Sequence, residues 1–280
     1  MCKESKANEI SSSEENYLIQ KANPLFSLWK SKLTLREYKL LDIFLGKINS
    51  KDENVRTVEL NKGEVERLYG VTVIHKKELD DCLSHLMETI EIDDENEPNG
   101  FVKINLFTLA ACRKINGEWN VILSCSPEAK KYFFNIENIG YFKYRLKNVR
   151  KIKGLHTYHL YMYVEKHRPQ KKNISLKWTI GVDELREIMH CTEKTYDEFK
   201  RFNNLKLTPA VNAINANTDT KFEIKLIKSG KRVIKIEFTL KPNVIDMEIQ
   251  NQSNQNENIK DVKRISPLIE DLDDIDEFFK

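Results

Sequence analysis

One order of predicted elements, which occurs twice along the chain, constrains the fold more than any other sequence feature. The first occurrence opens at Thr34 and Glu37, whose spacing is typical of a helix N-terminus, and an apolar face follows to Ile48. It closes with two strand-like runs on either side of Asn116-Gly117, a dipeptide typical of a tight hairpin turn. In chain order we predict a helix at residues 35–49, a strand at 55–60, helices at 61–69 and 74–90, and strands at 101–112 and 118–125.

The second occurrence covers residues 155–240. Its predicted elements are a helix at 155–167, a strand at 174–180, a helix at 182–190, a longer helical segment at 196–215 with a break or restart at Pro209, and a hairpin at 222–240. Helix, strand, helix, helix and hairpin is the order of a winged helix-turn-helix domain, in which the hairpin is the wing. The two halves share this order without residue-level identity.

The predicted fold is therefore α+β, with two tandem winged helix-turn-helix domains at residues 16–142 and 143–242. Residues 16–22, which precede the first occurrence, show helical spacing that breaks at Asn23-Pro24. Residues 1–15 are predicted to be a disordered tail, and residues 243–280 a polar linker with an acidic tail. The linker, at residues 250–256, is too polar to form a core.

Charge is distributed unevenly between these segments. Residues 1–100 carry 14 Lys+Arg against 20 Asp+Glu, a balance of −6, and residues 101–242 carry 28 against 13, a balance of +15. Residues 243–280 carry 4 against 10, again −6. A basic block between two acidic ones is typical of a polyanion-binding protein, most plausibly one that binds nucleic acid. Chance clustering on a solvated surface is the alternative.

The second half supplies the main candidate DNA-binding residues. A winged helix reads DNA by placing the N-terminal part of its last helix in the major groove, while the wing contacts the backbone. Arginine and asparagine side chains suit base edges, and lysines suit phosphates. The predicted recognition residues are Lys200, Arg201, Asn203, Asn204 and Lys206, and the predicted wing residues are Lys228, Lys231 and Arg232.

The first half is predicted to be the weaker DNA reader and a protein-contact module. Its candidates are Lys76 and Lys77 on the equivalent helix and Arg113 and Lys114 on the wing, but nearby acidic residues would repel phosphate. The segment 143–153, which joins the halves, adds Arg145, Lys147 and Arg150. It either follows the DNA backbone or is a solvated connector.

Several segments resemble the Initiator Replication protein family of plasmid replication initiators. The similar segments, in chain order, are NPL at residues 23–25, LTLREYKLL at 33–41, VRKIKGLHTYHLY at 149–161, VDELR at 182–186, YDEFK at 196–200 and LTPAVNAIN at 207–215, followed by Thr218-Asp219. Their order extends over about residues 16–242. Members often carry basic residues just before the Leu-x-Pro segment, where this chain has Asn203 and Asn204, so no base preference is carried over.

The resemblance implies a double-stranded DNA-binding protein without enzymatic activity, cofactor or metal. Such proteins bind directly repeated iterons at a plasmid origin, chiefly through the second winged helix, while the first adds DNA contacts and mediates dimerisation. Monomers open the origin and help recruit the host initiator and the replicative helicase, and dimers often repress the initiator's own promoter. A transcriptional regulator with the same twin winged-helix fold is the alternative function.

Other classes are disfavoured by the sequence. No run approaches the ~18–20 apolar residues of a membrane span, and five cysteines without C-x-x-C spacing fit a reducing, cytoplasmic location. Neither Gly46-Lys47 nor Gly230-Lys231 completes a phosphate loop. A metal-dependent nuclease built on Asp219 and Glu223 is a remote alternative.

Two smaller predictions concern histidines and the C-terminus. His156 and His159 are predicted to be partly buried packing residues rather than metal ligands, because no third ligand is evident. The tail, which ends in Phe278-Phe279 among acidic residues, is open to three interpretations. It docks on a replication partner, covers the protein's own basic face, or is a solubilising tail.

Overall fold

The computed structural model of the chain describes residues 17–242, apart from residues 95, 98, 117 and 170–173. The predicted tails, residues 1–15 and 243–280, lie outside the described residues. These described residues form one compact unit. Within the described part, no helix is both long and apolar enough to cross a membrane.

The first half has the predicted winged-helix topology. Its elements are β1 (Leu18–Ala22), a 3₁₀ segment (Asn23–Lys30), α1 (Leu35–Lys47), β2 (Thr57–Asn61), α2 (Lys62–Tyr69), α3 (Lys76–Leu86), β3 (Thr89–Asp93), β4 (Phe101–Asn105), β5 (Phe107–Ile115) and β6 (Glu118–Cys125). An antiparallel sheet has the strand order β2-β6-β5, so the strand after α1 pairs with the second strand of the wing.

The second half repeats this topology. The elements that lead into it and form it are α4 (Lys130–Phe133), β7 (Tyr141–Arg145), α5 (Leu146–Lys151), α6 (Leu155–His167), β8 (Leu176–Gly181), α7 (Val182–Ile188), α8 (Phe199–Phe202), α9 (Thr208–Asn217), β9 (Phe222–Ser229) and β10 (Arg232–Leu240). Its antiparallel sheet has the order β8-β10-β9, which matches β2-β6-β5 strand for strand. The α+β fold with two winged helices is confirmed.

Side-chain caps place two helix starts where the sequence predicts them. At α1 the backbone N–H of Thr34 donates to the Glu37 carboxylate at 2.6 Å. At α2 the Asn61 side chain accepts from the Glu64 N–H at 2.9 Å, and the Glu64 carboxylate accepts from the Asn61 N–H at 2.8 Å. These bonds satisfy backbone donors that a helix N-terminus otherwise leaves without partners, so both starts are fixed locally.

Two predicted helical stretches are wrong. Residues 18–22 form β1, which pairs antiparallel with β7 from Leu18 opposite Arg145 to Ala22 opposite Tyr141. Ile90 lies four residues after Leu86 and fits the face of a helix, but α3 ends at Leu86 and Ile90 belongs to β3, which pairs with β4. Short apolar runs fit both the helical and the strand repeat, and here pairing with a partner strand determines the structure.

The segment between the halves is not a solvated connector. It forms the end of β7 and all of α5, and Leu146 and Val149 are buried. The predicted domain boundary at residues 142 and 143 falls within β7, which pairs with β1 at the start of the first half. This boundary stays a prediction.

A buried polar network ties α6 to the first half. Lys21 Nζ lies 3.0 Å from Asp42 Oδ1, and both side chains are almost completely buried. The Tyr144 hydroxyl donates to Asp42 Oδ1 at 2.7 Å, and the Tyr158 hydroxyl donates to Asp42 Oδ2 at 2.8 Å. Lys21 Nζ also donates to the Tyr158 hydroxyl at 3.0 Å. One buried carboxylate therefore holds β1, α1, β7 and α6 together.

Candidate nucleic-acid interface

The recognition segment of the second half consists of α8, a π-helical turn at Asn203–Leu207, and α9. Phe202, Leu207 and Ile214 lie on its inner side and are fully buried. α9 begins at Thr208, directly after the π turn, with Pro209 in its first turn, so regular α-helix restarts at the predicted proline. The segment runs from residue 199 to residue 217 with one extra residue in the π turn.

Three of the five predicted recognition residues face solvent. Lys200, Arg201 and Asn204 are exposed, and Asn203 is half-buried and accepts a hydrogen bond from Thr208 Oγ1 at 3.3 Å. Arg201 Nε lies 3.3 Å from Glu198 Oε2, but both side chains are more than half exposed. An exposed ion pair of this kind contributes little, so the Arg201 guanidinium is available to another acceptor.

Lys206 does not share this outward orientation. Its Nζ lies 2.8 Å from His156 Nε2 on α6 and 5.2 Å from the centroid of the Tyr196 ring. Burial lowers the pKa of His156 below its usual range, so the ring is neutral and accepts this bond. The structure places Lys206 among protein groups rather than on the open face.

Sequence reasoning missed Leu205. This side chain is 59% exposed, although it lies between Asn204 and Lys206 in the recognition segment. In an uninterrupted α-helix, Leu205 would lie three residues after the buried Phe202 and close to the same face, so the sequence does not predict its exposure. The π turn adds a residue and rotates it outward. An exposed apolar side chain on this face is suited to contact the methyl group of thymine.

The second wing has the predicted composition at its tip. Gly230 has φ +59°, a conformation that favours glycine, and joins β9 to β10. Lys228, Lys231 and Arg232 are exposed around it. Among the described residues no ion pair involves these three side chains, so their charges are available to phosphates.

The first half presents a smaller basic surface. Lys76 and Lys77 are exposed at the start of α3, and Arg113 and Lys114 are exposed near the end of β5. Between α3 and this wing lies a cavity of about 140 Å³ lined by Lys62, Ile74, Lys76, Leu79, Cys112, Trp119 and Val121. Trp119, which sequence reasoning missed, is 44% exposed there.

The basic residues of the connecting segment face a carboxylate. Arg145 Nε lies 3.8 Å and Lys147 Nζ 3.7 Å from Asp219 Oδ2, which follows α9. Asn148 Nδ2 donates to the other Asp219 oxygen at 2.5 Å. Arg150 is half-buried, and its carbonyl accepts from Lys39 Nζ at 3.2 Å. The Asp219 carboxylate therefore partly neutralises Arg145 and Lys147.

His159 and Glu223, which could suggest other chemistries, lie in separate and unrelated contacts. His159 is buried between the rings of Tyr38 and His190, with centroids 5.3 and 4.7 Å away, and burial lowers its pKa to about 3. Glu223 Oε1 pairs with Lys241 Nζ at 2.5 Å, which lowers the pKa of Glu223. No group of three or more metal-ligating side chains occurs in the part of the chain that the structure describes.

Comparison with known families finds two matching domain models in this chain. The model of the Initiator Replication protein, WH1, matches residues 18–165, and that of the Initiator Rep protein, WH2, matches residues 181–240. The chain belongs to the initiator replication protein family. The resemblance seen in the sequence is thereby confirmed, and the recognition segment with its wing lies in the WH2 domain of this family member.

A solved structure shows the same fold. The crystal structure of the Pi initiator protein in complex with iteron DNA aligns with this initiator at a TM-score of 0.69 and 17% sequence identity. The alignment covers 82% of this chain and 99% of that one. No curated protein matches this initiator in sequence.

Proposed function

We propose that this initiator is a sequence-specific double-stranded DNA-binding protein that starts plasmid replication by binding iterons at the origin. One observation carries the proposal. Both halves have the same helix, strand, helix, helix and wing topology, and both place basic side chains at the start of the last helix and on the wing. One chain therefore offers two modules of the kind that read a DNA groove. The Pi initiator, which has the same fold, binds iteron DNA.

The second half is proposed to be the main reader. Arg201, Asn204 and Leu205 project from its recognition segment with chemistry suited to base edges, and the wing lysines project with chemistry suited to phosphates. The first half offers basic residues mixed with exposed Asp80 and Asp81, which favours a weaker DNA contact and a role in dimerisation. Arg145, Lys147 and Arg150 are proposed as auxiliary phosphate contacts.

The proposal includes later steps of initiation. Monomers on the origin open nearby DNA and recruit the host initiator and the replicative helicase in the cytoplasm, and dimers repress the initiator's own promoter. The acidic segment 243–280, with its balance of −6, is a candidate contact for a helicase or another replication partner.

Footprinting of purified protein on the DNA that flanks its gene tests this function. The assay uses about 150 mM salt and excess random competitor, because basic proteins bind any DNA at low salt. We expect protection of several direct repeats about two helical turns apart, with nearby bases that become reactive to a single-strand probe. Absence of specific protection contradicts the proposal.

Two rival functions predict different results with DNA. A transcriptional regulator with the same fold would protect one inverted repeat and leave the duplex closed. A nuclease would cleave supercoiled DNA with magnesium or manganese, and Glu223→Gln would abolish the cleavage. Intact supercoiled DNA under these conditions excludes the nuclease.

The exposed position of Leu205 gives a first prediction. Replacement by alanine should weaken binding to a specific site about fourfold, because loss of one apolar contact with a thymine methyl group costs ~0.8 kcal/mol. The measurement compares the wild type and Leu205→Ala on sites that contain thymine or uracil at each position. The wild type should lose affinity when the contacted thymine becomes uracil, whereas the variant should be insensitive to that change. Equal sensitivity of both proteins at every position would exclude the contact.

A further inference from the structure

Lys206, unlike the exposed Lys200 and Arg201, donates a hydrogen bond to a side chain of another helix. Its Nζ lies 2.8 Å from His156 Nε2, and its ammonium group also lies 5.2 Å from the centroid of the Tyr196 ring. His156 belongs to the first turn of α6, whereas Lys206 belongs to the π turn, 50 residues later in the chain. The contact therefore joins the recognition segment to α6.

The hydrogen-bond pattern fixes the direction of this contact. His156 Nδ1 lies 2.5 Å from the carbonyl oxygen of Met189, which can only accept, so the proton is on Nδ1. The ring is neutral because burial lowers the pKa of His156, and Nε2 is left as an acceptor. Lys206 has three donors and no acceptor, so its ammonium group donates to Nε2. Lys206 is therefore the donor of this hydrogen bond, and His156 Nε2 is its acceptor.

The contact lies where the recognition segment departs from regular helix. In the turn Asn203–Leu207, the Thr208 N–H bonds to the Asn203 carbonyl, five residues back, instead of four. The same turn carries Asn204 and Leu205, which are exposed. A π turn is a less favourable backbone arrangement than α-helix, so an anchor in it stabilises the rotation that directs these side chains outward.

We propose that Lys206 is a positioning residue for sequence recognition and does not contact DNA phosphate. Its bond to His156 holds the π turn on α6 and so fixes the orientation of Asn204 and Leu205 towards the base edges. The His156 bond and the Tyr196 contact hold the ammonium group of Lys206 against the protein, and the side chain is half-buried. This inference rests on the proposed function, since it assigns a role within sequence-specific DNA binding.

The two roles make opposite demands on the charge of residue 206. A phosphate contact releases counterions, so its loss weakens binding to all DNA and reduces the slope of log K against log salt by about 0.9. An anchor needs a hydrogen-bond donor but no charge, so its loss lowers only the preference for the specific site. Lys206→Gln keeps a donor and removes the charge, and Lys206→Met removes both.

The experiment measures affinity of the full chain for a footprinted repeat and for a shuffled duplex of equal composition, between about 100 and 300 mM salt. For Lys206→Met we expect about tenfold weaker binding to the repeat, unchanged binding to the shuffled duplex and an unchanged salt slope. Lys206→Gln should retain most of the specific affinity. Lys231→Met at the wing is the matched control and should weaken both duplexes and reduce the slope.

A double-mutant cycle tests the partner. His156→Leu should reproduce the loss seen in Lys206→Met, and the double variant should lose no more than either single variant, because both remove the same bond. Thermal unfolding of each variant shows whether it is folded. If Lys206→Met does not fold, Lys206→Gln, which removes only the charge, still distinguishes an anchor from a phosphate contact.

Three outcomes overturn the inference. One is a slope reduced by about 0.9 in Lys206→Gln with equal losses on both duplexes, which identifies a phosphate contact. Another is additive loss in the double variant, and the third is an unchanged preference in Lys206→Met while the wild type discriminates. If the wild type itself binds both duplexes equally, the proposed function fails, and the inference fails with it.

Discussion

Replacement of Asp42 by alanine should lower the free energy of unfolding by about 3–5 kcal/mol, the usual cost of breaking a buried ion pair. The Asp42 carboxylate accepts hydrogen bonds from Lys21, Tyr144 and Tyr158, and both Lys21 and Asp42 are almost completely buried. Removal of the carboxylate leaves the Lys21 ammonium without a counter-charge in a site that excludes water. Two buried hydroxyls lose their acceptor at the same time.

Chemical denaturation of the wild type and Asp42→Ala measures this effect. Asp93→Ala is the matched control, because Asp93 pairs with Lys30 at 2.6 Å while both side chains are about half exposed, and such pairs contribute about 0–1 kcal/mol. Addition of Lys21→Met to Asp42→Ala should recover part of the lost stability, since it removes the unpaired buried charge. Similar stability of Asp42→Ala and Asp93→Ala would show that the network does not hold the two halves together.

The second large effect concerns DNA recognition. Arg201→Ala should remove about 1–3 kcal/mol of discrimination between a specific site and random DNA, because a guanidinium forms two hydrogen bonds to one guanine. Lys231→Ala should instead weaken binding to all DNA by a similar factor and reduce the salt slope by about one unit. The difference follows from the exposed position of Arg201 on the recognition segment and of Lys231 at the wing tip.

Equilibrium binding to a specific and a shuffled duplex at several salt concentrations separates the two effects. Glu198→Gln is a useful control, because Glu198 pairs with Arg201 and its change should leave Arg201 able to bind DNA. If Arg201→Ala and Lys231→Ala lose the same factor on both duplexes, the recognition segment does not lie in the groove as proposed.

The fold could be predicted from the sequence where local signals determine the structure. The capping pairs Thr34 with Glu37 and Asn61 with Glu64 act within one helical turn, so the sequence alone locates both helix starts. The wing at Gly230 needs a residue that tolerates positive φ, which the sequence also shows. These signals gave the repeated element order and hence the two winged helices.

Elements that depend on distant partners could not be predicted. β1 has helical spacing in sequence but pairs with β7, whose residues lie more than 100 positions later. The bond between Tyr158 and Asp42 joins residues 116 positions apart. Local periodicity cannot predict such contacts, because they form only when distant segments pack together.

The candidate interface was predictable in composition but not in orientation. Basic residues and asparagines mark the recognition segment, yet Leu205 is exposed and Lys206 donates a hydrogen bond to His156 on α6. The acceptor that holds Lys206 is His156, which the sequence marks only as a packing residue. A charge pattern therefore locates the surface, whereas the contacts of each side chain decide which residues face DNA.

The affinity of the full chain for one footprinted repeat and for a shuffled duplex, at about 150 mM salt, tests the central claim most directly. If the protein reads DNA sequence through its second winged helix, the repeat should bind at least about 10³-fold more tightly, and Arg201→Ala should reduce this ratio. Equal affinity for both duplexes would contradict the account, because the basic surface would then bind polyanions without reading their sequence.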